Sequence, residues 1–129
     1  GTKILLNLAK NPAGFNQNIA AMLQDKTEKD LILQVNDREQ DGIDVSWLWD
    51  IDFDDLKDAN IKSILVSGMR RYDLALRLKY VDIPCVVEDD IEKAIKDRLD
   101  NGCKNLYVLV NFTPLMATRA AIKKLEGQK

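Results

Sequence analysis

The chain contains no histidine among its 129 residues. A Ser-His-Asp or Cys-His site, a histidine general base and a histidine-ligated metal therefore cannot be assembled from this chain alone. Its two cysteines, Cys85 and Cys103, are far apart and form no C-x-x-C pair, so the sequence supports neither a zinc ribbon nor a redox dithiol. We expect both to be buried structural thiols.

Long apolar runs and a strong excess of either charge are also lacking. No stretch approaches the ~20 apolar residues that cross a bilayer, and the start Gly1-Thr2-Lys3 does not resemble a signal peptide. The sequence therefore predicts a cytoplasmic protein with no transmembrane segment. A net charge of −2 argues against nucleic acid as the main partner. The length fits one domain that spans residues 1–129.

Familiar motifs for phosphate and metal binding are missing as well. The sequence has no G-x-x-x-x-G-K-[ST], and no G-x-G-x-x-G follows its first apolar run. The start of a calcium loop is suggested by Asp37, Glu39, Asp41 and Gly42. However, Leu48 stands at the twelfth position, where a bidentate Glu is required. We therefore expect no metal site in this domain.

Short apolar runs alternate with helical patterns along the whole chain. The predicted strands are residues 4–9, 31–35, 63–67, 84–87 and 106–110. Helices are predicted from Pro12 to about residue 24 with Asn11 as N-cap, near 53–58, around Leu74, Leu78 and Val81, from 88–90 onward, and from 113 to about 125. Near-continuous apolar strands of this kind indicate a parallel sheet that is covered on both faces. The predicted fold is α/β, a Rossmann-like three-layer sandwich with a mainly parallel sheet of about five to six strands.

Polar residues gather where the predicted strands end. In open parallel sheets, ligands bind at the carboxyl ends of the strands, so these residues are candidates for a site. Helix capping explains Asn11 and Thr113 equally well, and a tight turn explains Gly68. The pattern leaves both interpretations open.

The segment at residues 36–50 holds both tryptophans, Trp47 and Trp49, within a run of acids. Nine acids and two bases lie between residues 37 and 58, which gives a locally negative field. Two indoles are costly to leave in water, so the segment is expected to pack. It is built either to hold a carboxylate in place or to meet a partner, or its tryptophans simply pack on the sheet with the acids in water.

Four stretches together carry a resemblance to a known family. They are Asn7-Leu8-Ala9-Lys10-Asn11-Pro12-Ala13-Gly14, Asn36-Asp37 with the run from Asp41 to Asp50, Ser67-Gly68-Met69-Arg70, and Leu76-Arg77-Leu78-Lys79. They resemble the C-terminal domain of MurT, the Mur-ligase-like subunit of lipid II isoglutaminyl synthase. The resemblance covers essentially the whole chain.

This resemblance implies a function and several partners. In that family MurT pairs with the glutaminase GatD in the cytoplasm of Gram-positive bacteria. GatD releases ammonia from glutamine, and MurT uses ATP to activate the D-glutamate α-carboxyl of the lipid II stem peptide for amidation. The resemblance places ATP and Mg mainly in the remainder of MurT, outside this chain.

The resemblance also implies roles for particular residues. GatD brings a nucleophilic Cys and a His, and the MurT domain contributes an Asp that completes the triad across the interface. Asp44, in the Gly-x-Asp-x-Ser-Trp run, matches that Asp, and Asp37 is the second choice. Predicted interface residues are Trp47, Trp49 and Asp50, and predicted substrate-binding residues are Asn11, Gly14 and Asn36.

Overall fold

The computed structural model describes residues 2–9, 11–36, 46–58, 60–111 and 114–126. Within these ranges five strands form a single sheet. They are β1 (Lys3–Leu8), β2 (Lys29–Gln34), β3 (Ile61–Ser67), β4 (Val86–Val87) and β5 (Asn105–Val110). The α-helices are α1 (Pro12–Gln24), α2 (Arg71–Tyr80), α3 (Ile91–Asp100) and α4 (Pro114–Glu126). Two 3-10 helices, Ser46–Asp50 and Phe53–Asp58, precede β3.

All strand pairs in the sheet are parallel, and the strand order is β1-β5-β2-β3-β4. The α/β fold class and the parallel sheet predicted from the sequence are therefore confirmed. Since every strand runs the same way, the carboxyl ends of all five meet at one edge of the sheet. This edge is called the carboxyl edge below.

Two apolar clusters cover the two faces of the sheet. On one face, α1, α2 and both 3-10 helices pack on β2 and β3, with Phe15, Leu33 and Leu74 fully buried among them. On the other face, α3 and α4 pack around Ile32 and Val108. Side chains of a strand alternate between faces, so β2 supplies Leu33 to one cluster and Ile32 to the other. No helix in the described ranges has the length and apolar character that crossing a bilayer requires.

Several element boundaries differ from those predicted. β2 begins at Lys29, earlier than the predicted residue 31, and the first two side chains of the strand are buried although they are charged; the partners of Asp30 compensate its carboxylate. The Ser63 hydroxyl donates to the Asp30 carboxylate, and an Arg98 guanidinium nitrogen lies 3.6 Å from the same oxygen. An apolar pattern alone does not reveal a strand that starts with charged residues.

The β4 region is also corrected. The strand covers only Val86–Val87, and not residues 84–87, and both valines are exposed at the sheet edge. The next helix, α3, begins at Ile91 and not at residues 88–90. Asp90 is its N-cap, since the carboxylate accepts a hydrogen bond of 3.0 Å from the backbone N–H of Glu92.

Candidate functional site

An asparagine pair joins the ends of β2 and β5 at the middle of the carboxyl edge. The Asn111 side chain accepts from the Asn36 N–H at 3.0 Å and donates to the Asn36 carbonyl at 2.7 Å. Asn111 is buried, and its own N–H donates to the Gln34 carbonyl at 3.3 Å. One side chain therefore satisfies both backbone groups of Asn36 where the strand pairing stops.

The turn after β3 is held against the same asparagine. The Met69 N–H donates to the Asn36 side-chain oxygen at 2.8 Å, and the Arg70 N–H donates to the Val35 carbonyl at 2.9 Å. Gly68, which immediately precedes them, has φ +89°, and a Cβ there would lie 2.5 Å from the Val35 carbonyl oxygen. The close approach and the left-handed backbone both require glycine. The tight-turn interpretation of Gly68 is confirmed.

The asparagine pair lies at a topological switch point. The 3-10 helices that follow β2 lie on the face that carries α1 and α2, and α4, which follows β5, lies on the face that carries α3. Neighbouring strands whose connections diverge in this way open a crevice at the carboxyl edge, which is the usual ligand position in open α/β sheets. Here the Asn111 side chain bonds to both backbone groups of Asn36, and the Asn36 side-chain oxygen accepts from the Met69 N–H.

The β1–α1 turn carries the predicted substrate-binding residues Asn11 and Gly14. Asn11 is the N-cap of α1, and its side-chain oxygen accepts from the Gly14 N–H at 2.9 Å. The capping interpretation of Asn11 is thus confirmed, and its substrate role stays a prediction. A Cβ on Gly14 would make only ordinary contacts, at 3.5 Å from the Asn11 oxygen. Asn11 and Asn36 follow β1 and β2, which are separated by β5, so about 10 Å lies between those strands.

The first 3-10 helix, which contains Trp49, is fixed by one arginine of α2. The buried Arg77 donates from Nε to the Leu48 carbonyl at 3.2 Å and from Nη2 to the Ile51 carbonyl at 2.7 Å. Its guanidinium carbon lies 5.4 Å from the Trp49 ring centre and 5.3 Å from that of Phe53. Arg77 therefore satisfies carbonyls at the helix end and adds two cation–π contacts.

A second anchor ties the same region to α1. The Asn16 side chain accepts from the Asp52 N–H at 2.8 Å. Leu48, Ile51 and Phe53 are buried in the core beneath. Asn36 precedes residues 37–45 in the sequence, and this 3-10 helix follows them. Hydrogen bonds fix both to the body of the domain.

The structure describes two of the three predicted interface residues, Trp49 and Asp50, and both are exposed. Trp49 is 47% exposed, and its ring meets the Tyr80 ring edge to face with centroids 4.9 Å apart. Asp50 is exposed. Asp37 and Asp44 lie outside the described residues, as does the side chain of Trp47. Packing of the tryptophan segment onto the domain is confirmed for Trp49, which nevertheless keeps half of its surface in water.

Titratable groups with shifted pKa values lie away from the carboxyl edge. Burial and the neighbouring Asp30 raise the pKa of the Cys103 thiol to about 12, and burial raises the pKa of Cys85. Cys103 is buried as predicted, whereas Cys85 is only partly buried. Raised thiol pKa values disfavour the nucleophilic thiolate, so neither cysteine is suited to catalysis. Within the described ranges, no three acidic or cysteine side chains are grouped as a metal ion would require.

Comparison with known proteins identifies the family. The model of the MurT ligase C-terminal family matches residues 8–115, which is most of the chain. The chain belongs to the MurT ligase C-terminal family. The lipid II isoglutaminyl synthase (glutamine-hydrolyzing) subunit MurT of Staphylococcus aureus is 43% identical over 114 residues, covering 86% of this chain and 26% of that protein. The Streptococcus pneumoniae subunit of the same name is 32% identical over 128 residues, covering 92% and 29%. This MurT-type chain thus spans little more than a quarter of the length of these relatives.

A solved structure supports the fold of this MurT-type domain. The UDP-N-acetylmuramate-alanine ligase MurC of Thermotoga maritima superposes with a TM-score of 0.61 at 12% identity. The match covers 99% of this chain and 28% of that enzyme. At this identity the likeness concerns the fold alone, and that fold is the one found in a Mur ligase.

The sequence alone assigns no role to three features of the site. Asn111 is one of many polar residues at strand ends, and its pairing with Asn36 depends on β5 lying next to β2. Arg77 sits within an apolar helix pattern, where an arginine is usually assumed to be exposed. Tyr72, Leu76 and Tyr80 recur every four residues on α2, opposite to the buried Leu74 and Leu78, and that spacing was the available signal.

Proposed function

We propose that this chain is one Mur ligase C-terminal-type domain, residues 1–129, of a MurT subunit of lipid II isoglutaminyl synthase. The complete enzyme amidates the D-glutamate α-carboxyl of the peptidoglycan stem peptide, using ATP and ammonia released from glutamine. The partners are a GatD-type glutaminase, the remainder of MurT and lipid II, all meeting in the cytoplasm. Support comes from the family match and from relatives whose names specify that synthase and glutamine hydrolysis.

The domain alone is expected to be inactive as a ligase. The N-terminus of α1 is already capped by Asn11, whose side chain occupies the Gly14 N–H that a phosphate would otherwise use. The described residues therefore do not fit a phosphate cradle at this turn. ATP and Mg²⁺ are assigned to the remainder of the subunit, where they supply activation of the carboxyl group.

The proposed contribution of this domain is a carboxylate for the glutaminase. Asp44 would accept a hydrogen bond from the ring nitrogen of the glutaminase histidine that faces away from the nucleophilic cysteine. Such a carboxylate fixes the tautomer of the imidazole and stabilises the imidazolium that forms when the thiol is deprotonated. A chain that has a suitable acid and no histidine needs a partner's histidine for this role.

The observation that carries the proposal is the fixed framework on both sides of the Asp44 segment. Before it, Asn36 is held by Asn111 and Met69, and after it, the Trp49 helix is held by Arg77. A triad member must be held close to its productive geometry by a supporting structure. Anchors of this quality suit a carboxylate that acts on another protein, whereas a purely solvated loop does not require them.

Neutralising each candidate acid in the full-length complex tests this role. Asp44→Asn should lower kcat for glutamine hydrolysis about 10²–10⁴-fold, because an amide does not stabilise the imidazolium and favours the wrong tautomer. Asp37→Asn is the matched control and should retain activity within a few-fold. Subunit assembly should be unchanged in both variants, as measured by light scattering.

If Asp37→Asn loses glutaminase activity and Asp44→Asn retains it, Asp37 is the carboxylate of the triad. If both variants keep full glutaminase activity, the acidic tryptophan segment serves only as a docking surface, which is the alternative function. Hydrolysis is assayed without lipid II and ATP, so that a loss in the ligation step does not confuse the result.

A further inference from the structure

Charge is distributed unevenly along the chain. Residues 91–125, which contain α3, β5 and α4, include seven bases and three acids, although the whole chain has a net charge of −2. Residues 37–58, by contrast, include nine acids and two bases. Charge asymmetry of this kind within one chain is typical of proteins that bind a charged surface, such as a membrane or a nucleic acid. The layer of α3 and α4 is therefore the positive side of the domain.

Four exposed bases of this layer lie close together. Arg119, Lys123 and Lys124 are exposed on α4, and Lys93 is exposed in the first turn of α3. An ion pair of 3.1 Å between Lys124 and Glu92 joins the last turn of α4 to the first turn of α3. Lys93 and Lys123 are the chain neighbours of these two residues, so they lie at the same junction. The four bases are called the basic face below.

Little negative charge opposes the basic face. Within the ranges that the structure describes, Glu92 is the one acid that pairs with it. Lys93, Arg119 and Lys123 form no ion pair with any described residue. The four bases and Glu92 together carry a net charge of +3. Three of the bases are therefore available to a charged surface outside the domain.

Complementarity to the helix dipoles explains only part of the basic face. Lys123 and Lys124 lie in the last turn of α4, where the negative end of the dipole favours bases. Arg119 lies in the middle of the same helix, outside the turns where the dipole acts. Lys93 lies in the first turn of α3, where a positive charge is unfavourable. The stability of their own helices therefore does not account for Arg119 and Lys93.

The substrate of the proposed function indicates what the basic face meets. The relatives of this chain are named as subunits of lipid II isoglutaminyl synthase, and a lipid substrate is held in a bilayer. The complete enzyme must therefore work at a membrane surface. The cytoplasmic leaflet of a membrane carries anionic phospholipids, and each Lys or Arg close to that leaflet strengthens binding about 5-fold. An anionic bilayer is thus the surface whose charge complements the basic face.

We infer that the basic face docks on the anionic phospholipid headgroups of the membrane that holds the lipid substrate. The inference rests on the proposed function, since that function makes a lipid the substrate. The contact is electrostatic, because the exposed apolar residues among the bases, Ala117 and Ala120, are too small to insert among acyl chains. The exposed acids of the two 3-10 helices lie in the opposite layer, so they face away from such a membrane.

Neutralising the basic face in the full-length ligase–glutaminase complex tests the inference. The wild-type complex should sediment with vesicles of phosphatidylglycerol and phosphatidylcholine but not with phosphatidylcholine alone, and about 0.5 M NaCl should release it. The double variant Arg119→Gln/Lys123→Gln should bind the anionic vesicles about 30-fold more weakly, because two bases are lost. Lys57→Gln/Lys79→Gln removes the same charge from exposed positions in the opposite layer and should change binding less than about 3-fold. Circular dichroism melts check that both variants fold.

Amidation of lipid II separates this inference from the proposed function. With lipid II in neutral detergent micelles, Arg119→Gln/Lys123→Gln should match the wild-type kcat and KM, whereas in anionic vesicles its KM for lipid II should rise at unchanged kcat.

Equal vesicle binding by the wild type and this double variant would overturn the membrane surface, and amidation in detergent would leave the proposed function standing. Absence of amidation in detergent would contradict the proposed function, and the vesicle assay would still decide the membrane surface. If the double variant instead loses the glutaminase while its vesicle binding is unchanged, the basic face binds a protein and the inference is wrong.

Discussion

At the scale of single residues, Gly68 shows how far sequence reasoning reaches. A glycine after an apolar strand predicts a tight turn, and the structure has that turn. The sequence does not show that the same glycine lies against the Val35 backbone, because Val35 and Gly68 follow different strands and are 33 residues apart in the sequence. Contacts of this kind appear only when the sheet is assembled.

Substitution of Gly68 should therefore lower the free energy of unfolding by more than its backbone angle alone predicts. Gly68→Ala is expected to lower the free energy of unfolding by about 3 kcal/mol or more, since it adds a clash to the ~1–2 kcal/mol of a left-handed alanine. Gly102→Ala is the control, because Gly102 has a similar φ of +78° and no atom within 4 Å of its Cβ position. Urea unfolding of both variants measures the difference, and equal losses would refute the clash.

Asp25 makes a contribution to the free energy of unfolding that depends on pH. The Thr27 hydroxyl, the Thr27 N–H and the Tyr107 hydroxyl all donate to its carboxylate and lower its pKa to about 2. The unfolded chain, with an Asp pKa of about 3.9, binds the proton first, so this stabilisation is present above pH 4 and is lost as the pH falls through 2.

The variant Asp25→Asn should accordingly be less stable than wild type at pH 6, and the gap should narrow toward pH 2. Thermal melts across that range measure the gap. Asp54→Asn, an exposed acid in the second 3-10 helix, is the comparison, and a gap of constant size for Asp25→Asn would contradict the assignment.

At the scale of elements, apolar spacing predicted nearly every helix and strand, and the failures have physical causes. β2 starts at Lys29 because Asp30 is compensated by Ser63 and Arg98, which are distant in sequence. The first 3-10 helix also depends on a residue that is distant in sequence. Arg77 on α2 donates hydrogen bonds to the end of this helix, and a local sequence pattern contains no information about that contact.

Removal of the Arg77 donors should loosen the Trp49 helix specifically. Arg77→Met keeps the apolar stem but leaves the Leu48 and Ile51 carbonyls without these donors, and should cost about 2–4 kcal/mol. Hydrogen exchange should rise in residues 48–53, and Trp49 fluorescence should shift. Lys79→Met, exposed on the same helix, should do neither. Unchanged exchange in Arg77→Met would show that the buried core alone fixes this helix.

At the scale of the whole molecule, the sequence predicted the layered fold but not the strand order. Placing β5 between β1 and β2 brings Asn111 to Asn36, and that neighbour relation positions the candidate site. The contact between the half-exposed Trp49 and Tyr80 of α2 also appears only in three dimensions. The family was predictable from motifs in the chain, since those motifs are local, whereas the strand order was not.

The most direct measurement of the central claim is one distance in a structure of the full-length ligase subunit bound to its glutaminase. The account predicts that an Asp44 carboxylate oxygen lies about 2.7–3.2 Å from a ring nitrogen of the glutaminase histidine, with the other nitrogen toward the nucleophilic cysteine. A histidine that is hydrogen-bonded to a carboxylate of its own subunit, with Asp44 more than about 6 Å away, would contradict it.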